Sequence, residues 1–164
     1  MTLTAILFIL SSVVSVVRSG DLAEQKLKSP EFSWPVRVYY EDTDAGGVVY
    51  HARYLNLLER ARTEWLRSLG VEQDHLLAES GLLFLVSRIA VDYLRPARFN
   101  QQLQVTVRAM SSSGVRMPLL QEVRDLAGGI LCRAEVTVVC ARAHDLKPVR
   151  LPRFLTEELS DGLR

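Results

Sequence analysis

The sequence predicts an α+β fold in which a five-stranded antiparallel sheet wraps around one long central helix. Two observations carry this. One strand-like segment precedes a single long helical pattern, and four strand-like segments follow it. Runs of strands after a helix argue for segregated layers rather than alternating βα units. No glycine-rich phosphate loop follows the first strand, which argues against a dinucleotide-binding sheet.

The elements follow in chain order. Met1 to Val17, MTLTAILFILSSVVSVV, carries no charged side chain, and Arg18 comes next. This segment reads as a signal peptide without the usual basic start, as an anchor slightly short of the about 20 apolar residues that span a bilayer, or as a non-native extension. A polar linker with Gly20, Pro30 and Pro35 follows. The expected organisation is a segment at 1–33 and one domain at 34–160. Val36-Arg37-Val38-Tyr39-Tyr40, bounded by Pro35, reads as the first strand. From Tyr50 to Leu69, apolar Tyr54, Leu57, Leu58, Ala61, Trp65 and Leu69 recur at helical steps, and Gly70 is a natural stop. A shorter helix is expected at Glu72 to Glu79. Leu83 to Leu94 is apolar at both odd and even positions, the pattern of a central strand buried on both faces. Leu103 to Ala109 alternates cleanly, Arg116 to Arg124 and Ile130 to Arg142 read as a hairpin turning at Ala127-Gly128-Gly129, and Leu151 to Leu159 as a last short helix.

With 164 residues, 48% of them hydrophobic, the chain suffices for one domain with a sizeable core. The formal net charge of +1 provides no global basic field of the kind that marks a nucleic-acid binder. Cys132 and Cys140 fall on one face of the last strand, about 26 Å apart by strand rise. That separation excludes a disulfide and a two-cysteine zinc site, so both are expected to be reduced core residues, which suits a reducing compartment.

The stretch Glu41 to His51, EDTDAGGVVYH, carries the chemistry. Asp42-x-Asp44 resembles the opening of a calcium loop, but the later ligand positions are Gly46, Gly47 and Arg53, so the ligand count fails. An ordinary turn explains the aspartates and glycines. A third reading is catalytic. The loop leads into a helix whose first N–H groups lack partners, paired glycines allow close approach to the backbone, and an aspartate and a histidine flank that point. Such a constellation suits hydrolysis of a carbonyl ester: the N–H groups polarise the carbonyl, and a carboxylate attacks it or activates water.

RVYYEDTDAGGVVYHARYLNLLERARTEWLRSLG strongly resembles the signature of hot-dog-fold acyl-CoA thioesterases, most closely the Tol–Pal-associated branch near the 4-hydroxybenzoyl-CoA thioesterases. The likeness continues through Val91-Asp92-Tyr93-Leu94-Arg95-Pro96-Ala97-Arg98 and Leu146-Lys147-Pro148-Val149-Arg150-Leu151-Pro152, and covers about Trp34 to Leu159. The resemblance implies a hot-dog fold and hydrolysis of acyl-CoA without a cofactor. It makes Asp44 the catalytic carboxylate, as nucleophile or general base, with His51 assisting. The backbone from Gly47 through Tyr50 to His51 would receive the thioester carbonyl. It further implies a homodimer or homotetramer with sites between subunits, and acyl carrier protein as a second partner.

Asp42 is then a turn residue that shapes the loop. Glu59, eight positions past His51, is a lesser alternative acid. CoA phosphates call for basic residues, with Arg88 and Lys147 as the chosen contacts and Arg95, Arg98, Arg150 and Arg153 as further ones. Tyr93 and Trp65 read as core or subunit packing. A rival reading is a module that binds acyl carrier protein or an envelope complex, hydrolysis being incidental; an acyl dehydratase on the same fold would need Glu59. The expected location is the cytoplasm, with membrane contact only if the apolar segment is native.

Overall fold

The computed structural model describes residues 31–110 and 114–161, so the readings of the apolar segment lie outside the described residues. The elements are β1 (Phe32–Arg37), α1 (His51–Ser68), α2 (Gln73–Ser80), β2 (Leu82–Tyr93), β3 (Gln102–Ala109), β4 (Arg116–Asp125), β5 (Ile130–Arg142) and α3 (Arg153–Asp161). The strands form one five-stranded sheet in the order β1-β3-β4-β5-β2, antiparallel at every pairing.

The helix α1 packs on this sheet as its periodicity predicts. Tyr54, Leu57, Leu58, Ala61, Trp65 and Leu66 are buried, against β1, β3 and β4. The facing sheet residues are every second one: Leu103, Val105 and Val107 from β3, Met117, Leu119 and Val123 from β4, and Cys132, Ala134, Val136, Val138 and Cys140 from β5. Truncating a fully buried leucine such as Leu58 in such a core costs about 2–5 kcal/mol. One polar side chain lies inside it. Gln121, fully buried, donates through Nε2 to the Leu58 carbonyl (3.0 Å) and accepts from Arg62 Nη1 (2.9 Å), so its amide is satisfied. Both cysteines are free and buried. Burial pushes the Cys132 thiol up to about 12, with nearby Asp92 adding to the shift, so it is inert at neutral pH.

Two strands depart from the sequence-based expectation. The first runs over Phe32–Arg37, not Val36 to Tyr40, and Tyr40–Asp42 instead form one turn of 3-10 helix. Pro35 is not a boundary because β1 is an edge strand that bonds only to β3, where a residue without an N–H is tolerated on the open side. Phe32, Trp34 and Val36 turn toward the core, and Ser33, Pro35 and Arg37 away from it.

The second departure is β2, which is not a central strand. It is the other edge, bonded only to β5, and Leu85, Val86, Ile89 and Tyr93 are exposed. Its apolar residues at both parities have a specific cause. The register shifts between Val86 and Arg88, leaving Ser87 as a bulge residue. Before the bulge, Phe84 and Val86 sit opposite the inward Cys140 and Val138; after it, Ile89, Val91 and Tyr93 sit opposite the inward Val136, Ala134 and Cys132. The core-facing parity therefore switches once along the strand. Among the described residues no helix is long and apolar enough to cross a membrane.

Candidate active site

The loop between β1 and α1 folds into a small hairpin. Thr43 bridges Val49, and the Asp44 N–H donates to the Val48 carbonyl at 3.0 Å. The Gly47 N–H returns to the Asp44 carbonyl at 3.0 Å, with Gly47 at φ +71, a left-handed conformation that favours glycine. The Gly46 N–H donates to Asp44 Oδ1 at 2.8 Å, and a Cβ on Gly46 would stand 3.0 Å from that same oxygen. The turn thus needs both glycines, and it holds one carboxylate oxygen of Asp44 while the side chain remains exposed.

The two aspartates have different surroundings. Asp42 is buried, its Oδ2 accepts the Tyr39 N–H at 2.9 Å, and its carbonyl accepts the Tyr50 N–H at 2.9 Å. Asp42 therefore clamps the chain on both sides of the hairpin. Asp44 has no such structural partners beyond the turn itself.

The clamp delivers the chain to the start of α1. Val49 N–H donates to the Ala97 carbonyl at 2.8 Å and Val48 bridges Arg98, so the segment after β2 braces the loop from outside. Tyr50 caps the helix in an extended conformation, and its carbonyl accepts the Arg53 N–H at 2.8 Å. The N–H groups of His51 and Ala52 have no acceptor among the described residues, as expected for a first helical turn without a side-chain cap. They lie at the positive end of an 18-residue helix.

Two tyrosines hold this turn. The Tyr54 hydroxyl accepts the Ala97 N–H at 2.9 Å, and the Tyr93 hydroxyl donates to the His51 carbonyl at 3.0 Å. Burial raises both phenols above their ordinary value, for Tyr54 against the lowering effect of the Ala97 N–H, so both are neutral at neutral pH. The Tyr93 ring meets those of His51 and Tyr54 edge-on, at 6.3 Å and 5.5 Å between centroids. Together with Val49, Leu94 and Arg95 these residues line a cavity of about 260 Å³ beside the helix start.

The structure thus gathers Asp44, Gly47, Tyr50 and His51 on one loop and helix start. It does not bring Arg88 or Lys147 there within this chain. Arg88 pairs with Thr137, on the sheet face away from α1. Lys147 follows β5, where its carbonyl accepts the Arg142 N–H beside Gly81, and Gly81 precedes β2. The Tyr93 and Leu82 ends of β2 lie about 36 Å apart by strand rise. Glu59 is exposed about 12 Å down the helix, its Oε1 accepting from Thr63. Among the described residues no group of three or more His, Cys, Asp or Glu is arranged to hold a metal ion. Tyr93 and the Ala97 segment escaped the sequence reading as site elements, because Tyr93 bonds to the His51 carbonyl and Ala97 to the Tyr54 hydroxyl, each more than forty positions away.

The chain is similar to known proteins in sequence and in fold. The profile of the thioesterase-like superfamily matches residues 38–159. The acyl-CoA thioester hydrolase YbgC of Escherichia coli O6:H1 is 44% identical over 127 residues, 77% of this chain and 94% of that protein. The acyl-CoA thioesterase YbgC of Haemophilus influenzae is 47% identical over 123 residues, 74% of this chain and 89% of that one. A probable thioesterase from Bartonella henselae superposes with a TM-score of 0.70 at 34% identity, covering 75% of this chain and 100% of that one.

Proposed function

The chain belongs to the thioesterase-like superfamily, and from that premise we propose that it hydrolyses acyl-CoA thioesters to a free acid and CoA. The observation that supports this most directly is an exposed Asp44 carboxylate held in the loop that leads into a helix start whose first two N–H groups have no acceptor among the described residues. A thioester carbonyl oxygen resting on those donors gains stabilisation as negative charge develops on it. Asp44 then acts in one of two ways. As nucleophile, its oxygen bonds to the carbonyl carbon, the C–S bond breaks, CoA leaves as thiolate, and water hydrolyses the mixed anhydride. As general base, it takes a proton from water while the water oxygen attacks and the same C–S bond breaks. The exposed His51 ring, tilted against that of Tyr50 with centroids 4.3 Å apart, assists by orienting substrate or water.

The test is Asp44→Ala assayed on acyl-CoA. Loss of turnover with unchanged thermal midpoint and oligomeric state supports the assignment, and near-normal turnover overturns it. Rapid-quench mass spectrometry separates the two routes: an acyl group on Asp44 assigns the nucleophile, and its absence during normal turnover assigns the base.

The proposed enzyme is a homodimer built on the open edge of β2. Leu85, Val86 and Ile89 are exposed there on an edge strand whose outer side has no partner strand among the described residues, an arrangement that proteins cover. Antiparallel pairing of two β2 strands about their middle sets the Leu82 end of one beside the Tyr93 end of the other. Lys147 of the partner subunit, which lies along β5 on the side away from β2, then stands about three interstrand spacings, roughly 14 Å, from the Tyr93 end beside His51. This supports Lys147 as a CoA contact across the interface, where a single chain does not bring it.

A further inference from the structure

Each peptide carbonyl is conjugated with the N–H that follows it, so a hydrogen bond accepted by the oxygen makes that N–H a stronger donor. Both unpartnered N–H groups at the helix start belong to peptides whose carbonyl is engaged. The Tyr50 carbonyl, joined to the His51 N–H, accepts the Arg53 N–H at 2.8 Å. The His51 carbonyl, joined to the Ala52 N–H, accepts the Tyr93 hydroxyl at 3.0 Å, in addition to its place in the helical ladder. The first of these bonds is ordinary for a helix start. The second comes from the sheet, and the sheet end is itself fixed: the N–H groups of Leu94 and Arg95 both donate to the Leu131 carbonyl, at 2.8 and 3.0 Å. Packing alone accounts for the edge-on ring contact between Tyr93 and Tyr54. It does not account for a hydroxyl aimed at a helix carbonyl in the first turn.

We infer that Tyr93 is a positioning residue: its hydroxyl orients and polarises the His51–Ala52 peptide, so that the Ala52 N–H joins the His51 N–H as a second donor to the substrate carbonyl. The inference rests on the thioester-hydrolysis reading of this same turn. The Tyr93 phenol touches no reacting atom and transfers no proton. Its raised pKa, set chiefly by burial, keeps it a neutral donor throughout the neutral range.

Tyr93→Phe removes the hydroxyl and keeps the ring. The expected result is a fall in kcat of roughly three- to tenfold, the size of one hydrogen bond, with KM within about twofold of wild type. The ligand-free variant should also show the Ala52 amide proton shifted upfield, while the amides of Leu57 to Leu66 stay in place. Unchanged kcat, a loss shared equally by KM, or an unmoved Ala52 resonance overturns the inference. The resonance is read without substrate. A wild-type protein that hydrolyses no thioester therefore defeats the functional reading, while the amide shift alone decides whether the brace exists.

Discussion

Arg53 reaches back from the first turn of α1 to Asp42, its Nε lying 3.7 Å from the carboxylate, while Nε and Nη2 donate to the Glu41 carbonyl at 3.0 and 2.8 Å. Helix start and loop are thereby tied by a cation that holds both the backbone and the buried acid. Asp42→Ala leaves the Tyr39 N–H without its acceptor and Arg53 without its nearest buried charge. A cost of about 1–3 kcal/mol is expected. Asp44→Ala removes only a turn bond at an exposed side chain and should leave the thermal midpoint nearly unchanged. Activity should follow the reverse order, reduced by Asp42→Ala and abolished by Asp44→Ala. Melting curves and acyl-CoA assays of both variants check this, and equal effects in both assays contradict it.

Gly46 tests whether the Asp44 carboxylate must be held in place. A methyl at Gly46 would meet Asp44 Oδ1 at 3.0 Å, a contact relieved by turning the carboxylate rather than by unfolding the loop. Gly46→Ala should therefore lower kcat well before it lowers stability. Gly47→Ala differs, because space is open there but φ is +71, so its cost is backbone strain of about 1 kcal/mol. Comparing the two substitutions by kcat and by urea midpoint separates carboxylate geometry from loop strain.

Acid sensitivity should centre on Glu122. It is buried on the outer face of β4, accepting from Arg133 Nε at 2.7 Å and Arg124 Nε at 2.8 Å. Burial pushes its carboxyl up, but the hydrogen bonds and charges of Arg124 and Arg133 together outweigh that and leave it lowered from 4.5. A carboxyl depressed by folding adds stability that is fully present above its unfolded value, and that stability is lost as pH falls through the folded one. Wild type should weaken below about pH 4.5. Glu122→Gln should be less stable at neutral pH and show a flatter decline into acid. Urea midpoints across that range decide it, and parallel curves contradict the assignment.

The element order could be read from sequence because helix and strand periods are written in side-chain polarity, and α1 and the Cys132 to Cys140 stretch of β5 each follow one period. The period failed where the backbone departs from regularity. Pro35 reads as a boundary unless the strand is known to be an edge, and only the pairing order shows that. The bulge at Ser87 makes β2 look apolar on both faces when one face simply changes parity. Within the candidate site, Asp44 and His51 could be proposed because they share one short motif. Tyr93 could not, because its partner is a backbone carbonyl, which has no signature in sequence.

The open edge of β2 carries the last prediction. Leu85 lies on the sheet face away from α1, and Val86 on the face toward it, so both faces of the strand expose apolar surface where β2 ends the sheet. A charge on an exposed edge is the device by which proteins stop strand-to-strand association. Leu85→Lys and Ile89→Lys should each leave the monomer folded, since neither side chain belongs to the buried core, and should shift sedimentation from dimer to monomer. If Lys147 of the partner subunit meets the CoA bound near His51, the monomeric variants should lose acyl-CoA turnover, and raising protein concentration should restore part of it. Lys147→Ala in an intact dimer should raise KM for acyl-CoA and spare the pantetheine thioester, which lacks the nucleotide phosphates. A wild-type protein that sediments as a monomer at assay concentration while turning over normally excludes the shared site.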